Sequence, residues 1–349
     1  MNIALTGGGT AGHVMPNLAL YDEFQKRFDN IIYIGNKEKI EYDLCTKNNI
    51  DFFACESIKF DRSKIFSNIL IPFKMPAYIR QAQAILSNNS IDVVFSKGGY
   101  VALPVVYAAK KLKIPVICHE SDFSMGIANK LTSKFAKGII TCFPQTLTKN
   151  NVKVFANPVR QSIFEGDAGK IYAKYALNAS IPVLLVVGGS MGAKAINDAV
   201  YAAMEPLTQR YQVIHICGKS LTPLSHKNYY QLQFADNIQD YIAASDMIIS
   251  RCGAGASTEL NALNKKALYI PLENKASRGD QVLNAEYQQD NGYALVLHEK
   301  DLNTQNLLKT LDKLMNFDKK PFYYDPENNA KIADYVYSLA REYSPLPLQ

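Results

Sequence analysis

Two doubly wound α/β domains with a Rossmann-like order are the fold class that this sequence predicts, on three observations. Short β-branched runs alternate with longer amphipathic segments along all 349 residues. The pattern restarts near residue 183, and each half opens on an apolar strand that runs into a glycine-rich loop and a helix. Strands apolar on both faces, alternating with helices, imply parallel sheets covered on both sides.

The strands predicted in the first half are 3–6 (IALT), 31–35 (IIYIG), 52–55 (FFAC), 93–96 (VVFS), 115–119 (PVICH), 138–142 (GIITC) and 152–156 (VKVFA). The second half offers 183–188 (VLLVVG), 213–217 (VIHIC), 232–234 (LQF), 247–250 (MIIS), 268–271 (LYIP) and 293–297 (YALVL). Helical spacing fills the gaps, as where Val14, Leu18, Tyr21 and Phe28 share a face. Proline at Asn157-Pro158-Val159-Arg160 breaks the alternation, so the expected domains are 1–160 and 161–328. A last helix from Asn329 to about Tyr343, within 329–349, is expected to return to the first domain.

Composition narrows the class. At 48% apolar and 20% charged, the chain can bury two ordinary cores. No run of 18 apolar residues occurs, and the opening Met1-Asn2-Ile3 has no basic leader, which predicts neither a membrane span nor secretion. Six cysteines without a CxxC pair read as reduced, buried thiols. Residues 1–160 hold 20 Lys and Arg against 12 Asp and Glu, or +8, while the remainder carries −2. That asymmetry suits a surface that meets phosphates or an anionic membrane. No nucleic-acid partner is expected, because no basic run is interleaved with stacking aromatics.

The first loop, Gly7-Gly8-Gly9-Thr10-Ala11-Gly12, has the spacing of a dinucleotide fingerprint. A dehydrogenase would also need an acid at the end of the next strand to hold a ribose, and Asn36-Lys37-Glu38 puts it out of place. His13 follows directly. At a helix N-terminus the imidazolium is disfavoured, which keeps a neutral ring available as a base. The second loop, Gly188-Gly189-Ser190-Met191-Gly192, opens the second domain in the same way. Two such loops facing across a cleft suggest one substrate held between the domains.

Taken together, GGGTAGHVMP (7–16), SKGGYVALP (96–104), HESDFSMGIANK (119–130), NPVR (157–160), GGSMGAKAIN (188–197), SRCGAGASTE (250–259) and SRGDQVLNA (277–285) resemble, in order, the bacterial peptidoglycan N-acetylglucosaminyltransferase (MurG) family. The resemblance implies a GT-B fold, a UDP-GlcNAc donor on the C-terminal domain, and an acceptor, undecaprenyl-diphosphate-linked muramyl pentapeptide, on the N-terminal one. Carried over by position, it implies Thr10, Ala11 and Gly12 against the donor sugar and phosphates and His13 as the base. It implies Arg160 and Ser190 on the diphosphate, backbone near Ala235 on uracil, Glu259 on the ribose hydroxyls, and Gln281 and Asn284 on GlcNAc. Inversion at the anomeric carbon is likewise implied.

Four positions depart from the pattern of many members: Ala11 and Ala156 stand where glycine is common, Met191 where glutamine is, and Asp122 where asparagine is. Asp122 thereby becomes a second candidate base on the acceptor side. A transferase of the same fold acting on another lipid, such as diacylglycerol, is the alternative. No metal or other cofactor is expected, since no Asp-x-Asp pair and no spaced histidines occur. The segment 59–80 ranges Ile65, Phe66, Ile69, Leu70, Ile71, Phe73 and Met75 among Lys59, Arg62, Lys64, Lys74 and Arg80, which predicts peripheral attachment to the anionic cytoplasmic leaflet of the cell membrane.

Overall fold

The computed structural model describes residues 1–58, 71–146, 151–189, 192–220, 223–273 and 279–343. The chain divides into two units, Met1–Arg160 with Asp325–Gln349, and Gln161–Tyr324.

The first unit is built on β1 (Asn2–Thr6), β2 (Asn30–Gly35), β3 (Phe52–Ala54), β4 (Val93–Ser96), β5 (Val116–Glu120), β6 (Gly138–Thr141) and β7 (Val152–Val154), all parallel, in the order β3-β2-β1-β4-β5-β6-β7. Strand periodicity sorts side chains to the two faces. Ile3, Leu5, Ile31 and Tyr33 enter one core and Ala4, Ile32 and Ile34 the other. Helices α1 (Ala11–Gln25) and α2 (Ile40–Lys47) follow β1 and β2; α3 (Ile71–Asn88), α4 (Ala102–Lys111) and α5 (Ile127–Thr132) follow further along the chain. In register, Ile3 pairs with Ile31 on one side and with Val93 on the other. Strand order therefore reverses between β1 and β4. In such sheets a crevice opens there, beyond the carboxyl ends of the strands.

The second unit repeats the plan with β8 (Val183–Val187), β9 (Gln212–Ile216), β10 (Tyr229–Leu232), β11 (Met247–Ser250), β12 (Lys266–Tyr269) and β13 (Leu295–Val296), again all parallel, in the order β10-β9-β8-β11-β12-β13. Its helices are α6 (Ala168–Tyr175), α7 (Lys194–Ala202), α8 (Met204–Thr208), α9 (Ile238–Ala244), α10 (Ala254–Ala262), α11 (Asp280–Asp290) and α12 (Thr304–Met315). The switch point here lies between β8 and β11.

The final helix, α13 (Asn328–Tyr343), belongs to the first unit. Its fully buried Ile332, Ala333, Val336 and Ala340 join Leu20, Phe24 and Phe28 in one core. Arg27 Nε donates to Asp334 at 2.7 Å across the same seam.

Most strands fall within one or two residues of the expected bounds, and two differ more. The run expected at 232–234 is instead Tyr229–Leu232, because Tyr229 is buried and its hydroxyl meets Nδ1 of His215 at 2.8 Å, while Phe234 stands 61% exposed. The expected 293–297 contracts to Leu295–Val296 at the sheet edge. All six cysteines are free thiols.

Candidate functional site

Both switch points gather polar residues that directly follow strands, and each is described within its own unit. In the first unit the loop after β1 has Gly7 and Gly8 buried and Thr10 exposed. Thr10 is the N-cap residue of α1, yet its side chain makes no capping bond. Its Oγ1 instead stands 2.9 Å from Nδ1 of His13. When the hydroxyl accepts from Nδ1–H, the lone pair of Nε2 is left available, the tautomer a base requires.

Beneath His13 lies the second glycine loop. Gly99 sits at φ +77°, and a β-carbon there would fall 2.7 Å from the Gly8 carbonyl oxygen and 3.5 Å from Cγ and Nδ1 of His13. Only a residue without a side chain lets the loop after β4 carry the ring so closely. Ala11 and Gly12 follow Thr10 in the first turn, and Gly12 is exposed. Pro16 has no N–H to offer the Gly12 carbonyl, so the helix bond that residue 16 would ordinarily make to that oxygen is missing.

Glu41, which carried no role in the sequence reading, is completely buried behind this loop. Its carboxylate accepts from Gly9 N–H at 3.0 Å and from Asn36 N–H at 3.2 Å. A β-carbon on Gly8 would come within 2.5 Å of that carboxylate. The fingerprint glycines thus pack around a carboxylate of the protein itself. A dinucleotide phosphate would meet negative charge there.

Further along the strand ends stand Lys97 after β4, and Glu120 and Ser121 at and after the end of β5. Glu120 is nearly buried; its carboxylate accepts from the backbone of Asp122 at 3.1 Å, from the backbone of Gly126 at 2.9 Å and from Asn129 Nδ2 at 3.0 Å. That cradle shapes the irregular segment carrying Asp122, which is half-buried and whose carbonyl accepts from Thr146 Oγ1 at 3.4 Å. Lys97 is 3% exposed and bonds His119 Nδ1 at 2.7 Å and Ser121 Oγ at 2.5 Å. Burial and then the Lys97 charge hold His119 well below the ordinary histidine range, so its ring is neutral. Burial likewise pushes the neighbouring Cys142 thiol up to about 12. Arg160 ends the first of the unit's two stretches and is half-buried.

In the second unit the loop after β8 leads into α7, but Ser190, expected on a diphosphate, and Met191 lie outside the described residues. Arg251, directly after β11, is a further residue the sequence reading left without a role. Its Nη1 donates to the carbonyls of Ile270 at 2.9 Å and Pro271 at 3.0 Å, and its Nη2 pairs with Glu299 at 2.5 Å. The loop held in this way places Leu272 N–H 3.0 Å from Oε1 of Gln281, in the first turn of α11. That bond uses the carbonyl end of Gln281.

Asn284, one turn on, is fully buried and donates to the Cys252 carbonyl at 3.2 Å, so it supports the loop after β11. Buried Asn261 and Gln288 join α10 to α11 at 2.6 Å. Glu259 lies half-buried on α10. Ala235 is nearly buried and lines a cavity of 330 Å³ with Lys170, Lys174, Phe234, Asp236 and Tyr241. Among the described residues no group of three or more His, Cys, Asp or Glu is placed to hold a metal ion.

Of the segment expected at the membrane, residues 59–70 and the side chain of Ile71 lie outside the described residues, which takes in Lys59, Arg62, Lys64, Ile65, Phe66, Ile69 and Leu70. Phe73 is 77% exposed at the start of α3 beside exposed Lys74, whereas Met75 turns inward against the core. Among the described residues no helix is long and apolar enough to cross a membrane.

Residues 3–141 match the glycosyltransferase family 28 N-terminal domain, and residues 183–339 match the family 28 C-terminal domain. The UDP-N-acetylglucosamine--N-acetylmuramyl-(pentapeptide) pyrophosphoryl-undecaprenol N-acetylglucosamine transferase of Lachnoclostridium phytofermentans is 42% identical over 341 residues, 96% of each chain. A protein of the same name from Clostridium botulinum is 39% identical over 95% of each chain. Among solved structures, Acinetobacter baumannii MurG superposes with a TM-score of 0.74 at 23% identity, covering 97% of this chain and 99% of that one. A UDP-GlcNAc 2-epimerase from Methanocaldococcus jannaschii reaches 0.65 at 13% identity, covering 97% and 100%.

Proposed function

The chain belongs to glycosyltransferase family 28, among its N-acetylmuramyl-(pentapeptide) pyrophosphoryl-undecaprenol N-acetylglucosamine transferases, and from that premise we propose that it moves GlcNAc from UDP-GlcNAc to undecaprenyl-diphosphate-linked N-acetylmuramyl pentapeptide in peptidoglycan synthesis. Identity of 42% over 96% of both chains carries this reading, and the braced His13 supplies its chemistry.

The muramyl 4-hydroxyl attacks the anomeric carbon of GlcNAc. The new carbon–oxygen bond forms as the bond to UDP breaks, with inversion, and His13 takes the hydroxyl proton. Such a base contributes about 10²–10⁴-fold. Asp122 is the second group able to accept that proton. Negative charge developing on the departing diphosphate is met by Arg160 and by Ser190 with the amides at the start of α7. Glu259 accepts from both ribose hydroxyls, Gln281 serves the sugar with the buried Asn284 acting there through the loop it supports, Ala235 serves the uracil, and Thr10 to Gly12 the donor sugar and phosphates. Exposed Phe73 and Lys74, with the basic excess of residues 1–160, support attachment to an anionic membrane surface on its cytoplasmic side.

The test is to incubate the protein with UDP-GlcNAc and a short-chain muramyl lipid in detergent containing EDTA. Release of UDP together with a disaccharide lipid is expected. Transfer to diacylglycerol instead, or turnover that needs added Mg²⁺, would overturn the corresponding part of the reading.

A further inference from the structure

A lysine ammonium almost wholly withdrawn from water is costly unless its surroundings use the charge. Lys97 is 3% exposed, and the bonds it makes run to two neutral partners, His119 Nδ1 at 2.7 Å and Ser121 Oγ at 2.5 Å. An ammonium has donors and no acceptor, so it fixes the direction of every bond beyond it. His119 must accept at Nδ1 and carry its own proton at Nε2, on the side of Cys142. Ser121, accepting from Lys97, turns its hydroxyl hydrogen to Oδ1 of Asn157. Asn157 in turn leads through Pro158 and Val159 to Arg160.

This directed chain joins three stretches that no strand pairing joins: the loop after β4, the segment after β5 and the segment after β7. The segment 121–126 has no regular secondary structure. Its path therefore depends on side-chain bonds, among them the Glu120 cradle and the Lys97 chain. Burial favours the neutral amine, opposed by Cys142, Glu120 and Asp122 around it.

We propose that Lys97 is a positioning residue for the acceptor: its buried ammonium, acting through His119 and Ser121, holds the Asp122-bearing segment and the Asn157–Arg160 segment in the arrangement that receives the lipid. The inference rests on the transferase reading above, but one of its readouts needs no lipid.

Lys97→Met removes the charge and keeps much of the length. In ¹⁵N-histidine spectra the wild type is expected to show His119 as the Nε2–H tautomer, and Lys97→Met to lose that preference. In the transferase assay its KM for the muramyl lipid is expected to rise about tenfold or more, the scale of a lost charge-assisted bond, and by more than the donor Kd, which the chain reaches only through its Arg160 end. Ser121→Ala keeps the His119 tautomer and still raises the acceptor KM, and it decides the matter if Lys97→Met does not fold. An Nδ1–H tautomer in the wild type would show Lys97 to be a neutral amine and overturn the inference. So would an unchanged acceptor KM in folded variants. A wild type that turns over no muramyl lipid would instead sink the transferase reading, and the histidine spectra would still report on the ammonium.

Discussion

Thr10 Oγ1 lies 2.9 Å from Nδ1 of His13, within the first turn of one helix and over the Gly99 backbone. A hydroxyl placed to cap the helix is thus spent on orienting an imidazole. If His13 is the base, His13→Ala lowers kcat by about 10²-fold or more and leaves the UDP-GlcNAc Kd nearly unchanged. Thr10→Val keeps the shape and loses the bond, so a smaller fall, about five- to tenfold, is expected from the one hydrogen bond. Should Asp122 share the task, the His13→Ala loss shrinks and Asp122→Asn shows a comparable one. Full activity in both His13→Ala and Asp122→Asn would leave the reaction without either base.

Glu41 yields a prediction about stability and one about ligand class. Glu41→Ala strands two part-buried N–H groups, those of Gly9 and Asn36, beside the space its buried side chain leaves, and is expected to cost about 1–3 kcal/mol of unfolding free energy, read from urea denaturation. Glu41→Gln keeps one acceptor oxygen but turns an amide towards the second N–H, so it recovers only part of the loss. Since the wild-type carboxylate sits where a dinucleotide would bring its phosphates, titration with NADH should show no binding. Saturable NADH binding would revive the dehydrogenase that the glycine spacing suggests.

What could be read in the sequence followed from local pattern. Apolar period and glycine punctuation locate β1, β4, β8 and β11 to within a residue, because buried parallel strands are continuous apolar runs. At the sheet edge the signal fades: LQF looks like a strand by composition, but the buried Tyr229 and its bond to His215 pull the strand three residues upstream. Glu41, Lys97 and Arg251 escaped notice for a different reason. Each is an ordinary charge in the sequence, and only the sheet order brings it to a switch point, where Glu41 meets Gly9 from 32 positions away. For Lys97 and Arg251 the usable signal was their place directly after a strand, at its carboxyl end.

Glu259, on a helix whose neighbour α11 is tied to it through Asn261 and Gln288, sits on a firmly held surface. Glu259→Ala is expected to weaken UDP-GlcNAc binding by roughly 1.5–3 kcal/mol, the scale of hydrogen bonds to a charged group. Arg251→Lys should weaken it too, because one ammonium cannot serve two carbonyls and Glu299 with the spread of a guanidinium. Calorimetric titration with the donor reads both. An unchanged Kd in folded Glu259→Ala would remove that carboxylate from the donor site.

The last helix is sequence-distant from the core it completes. Ile332 is fully buried among residues of the first unit, where Leu20, Phe24 and Phe28 share its cluster, although about three hundred residues separate it from them. Removing its outer carbons leaves a cavity that a helix clamped by the Arg27–Asp334 bond cannot close by simply shifting inward. Ile332→Ala is therefore expected to cost about 2–5 kcal/mol, and the loss should fall on the first unit. Hydrogen exchange provides the reading by region: amides of β1, β2 and β4 should lose protection while those of β8, β9 and β11 keep theirs. UDP-GlcNAc should still bind where the second unit alone recognises it. Equal loss of protection in both sheets would mean that the two units unfold as one, and the helix would then stabilise the whole chain.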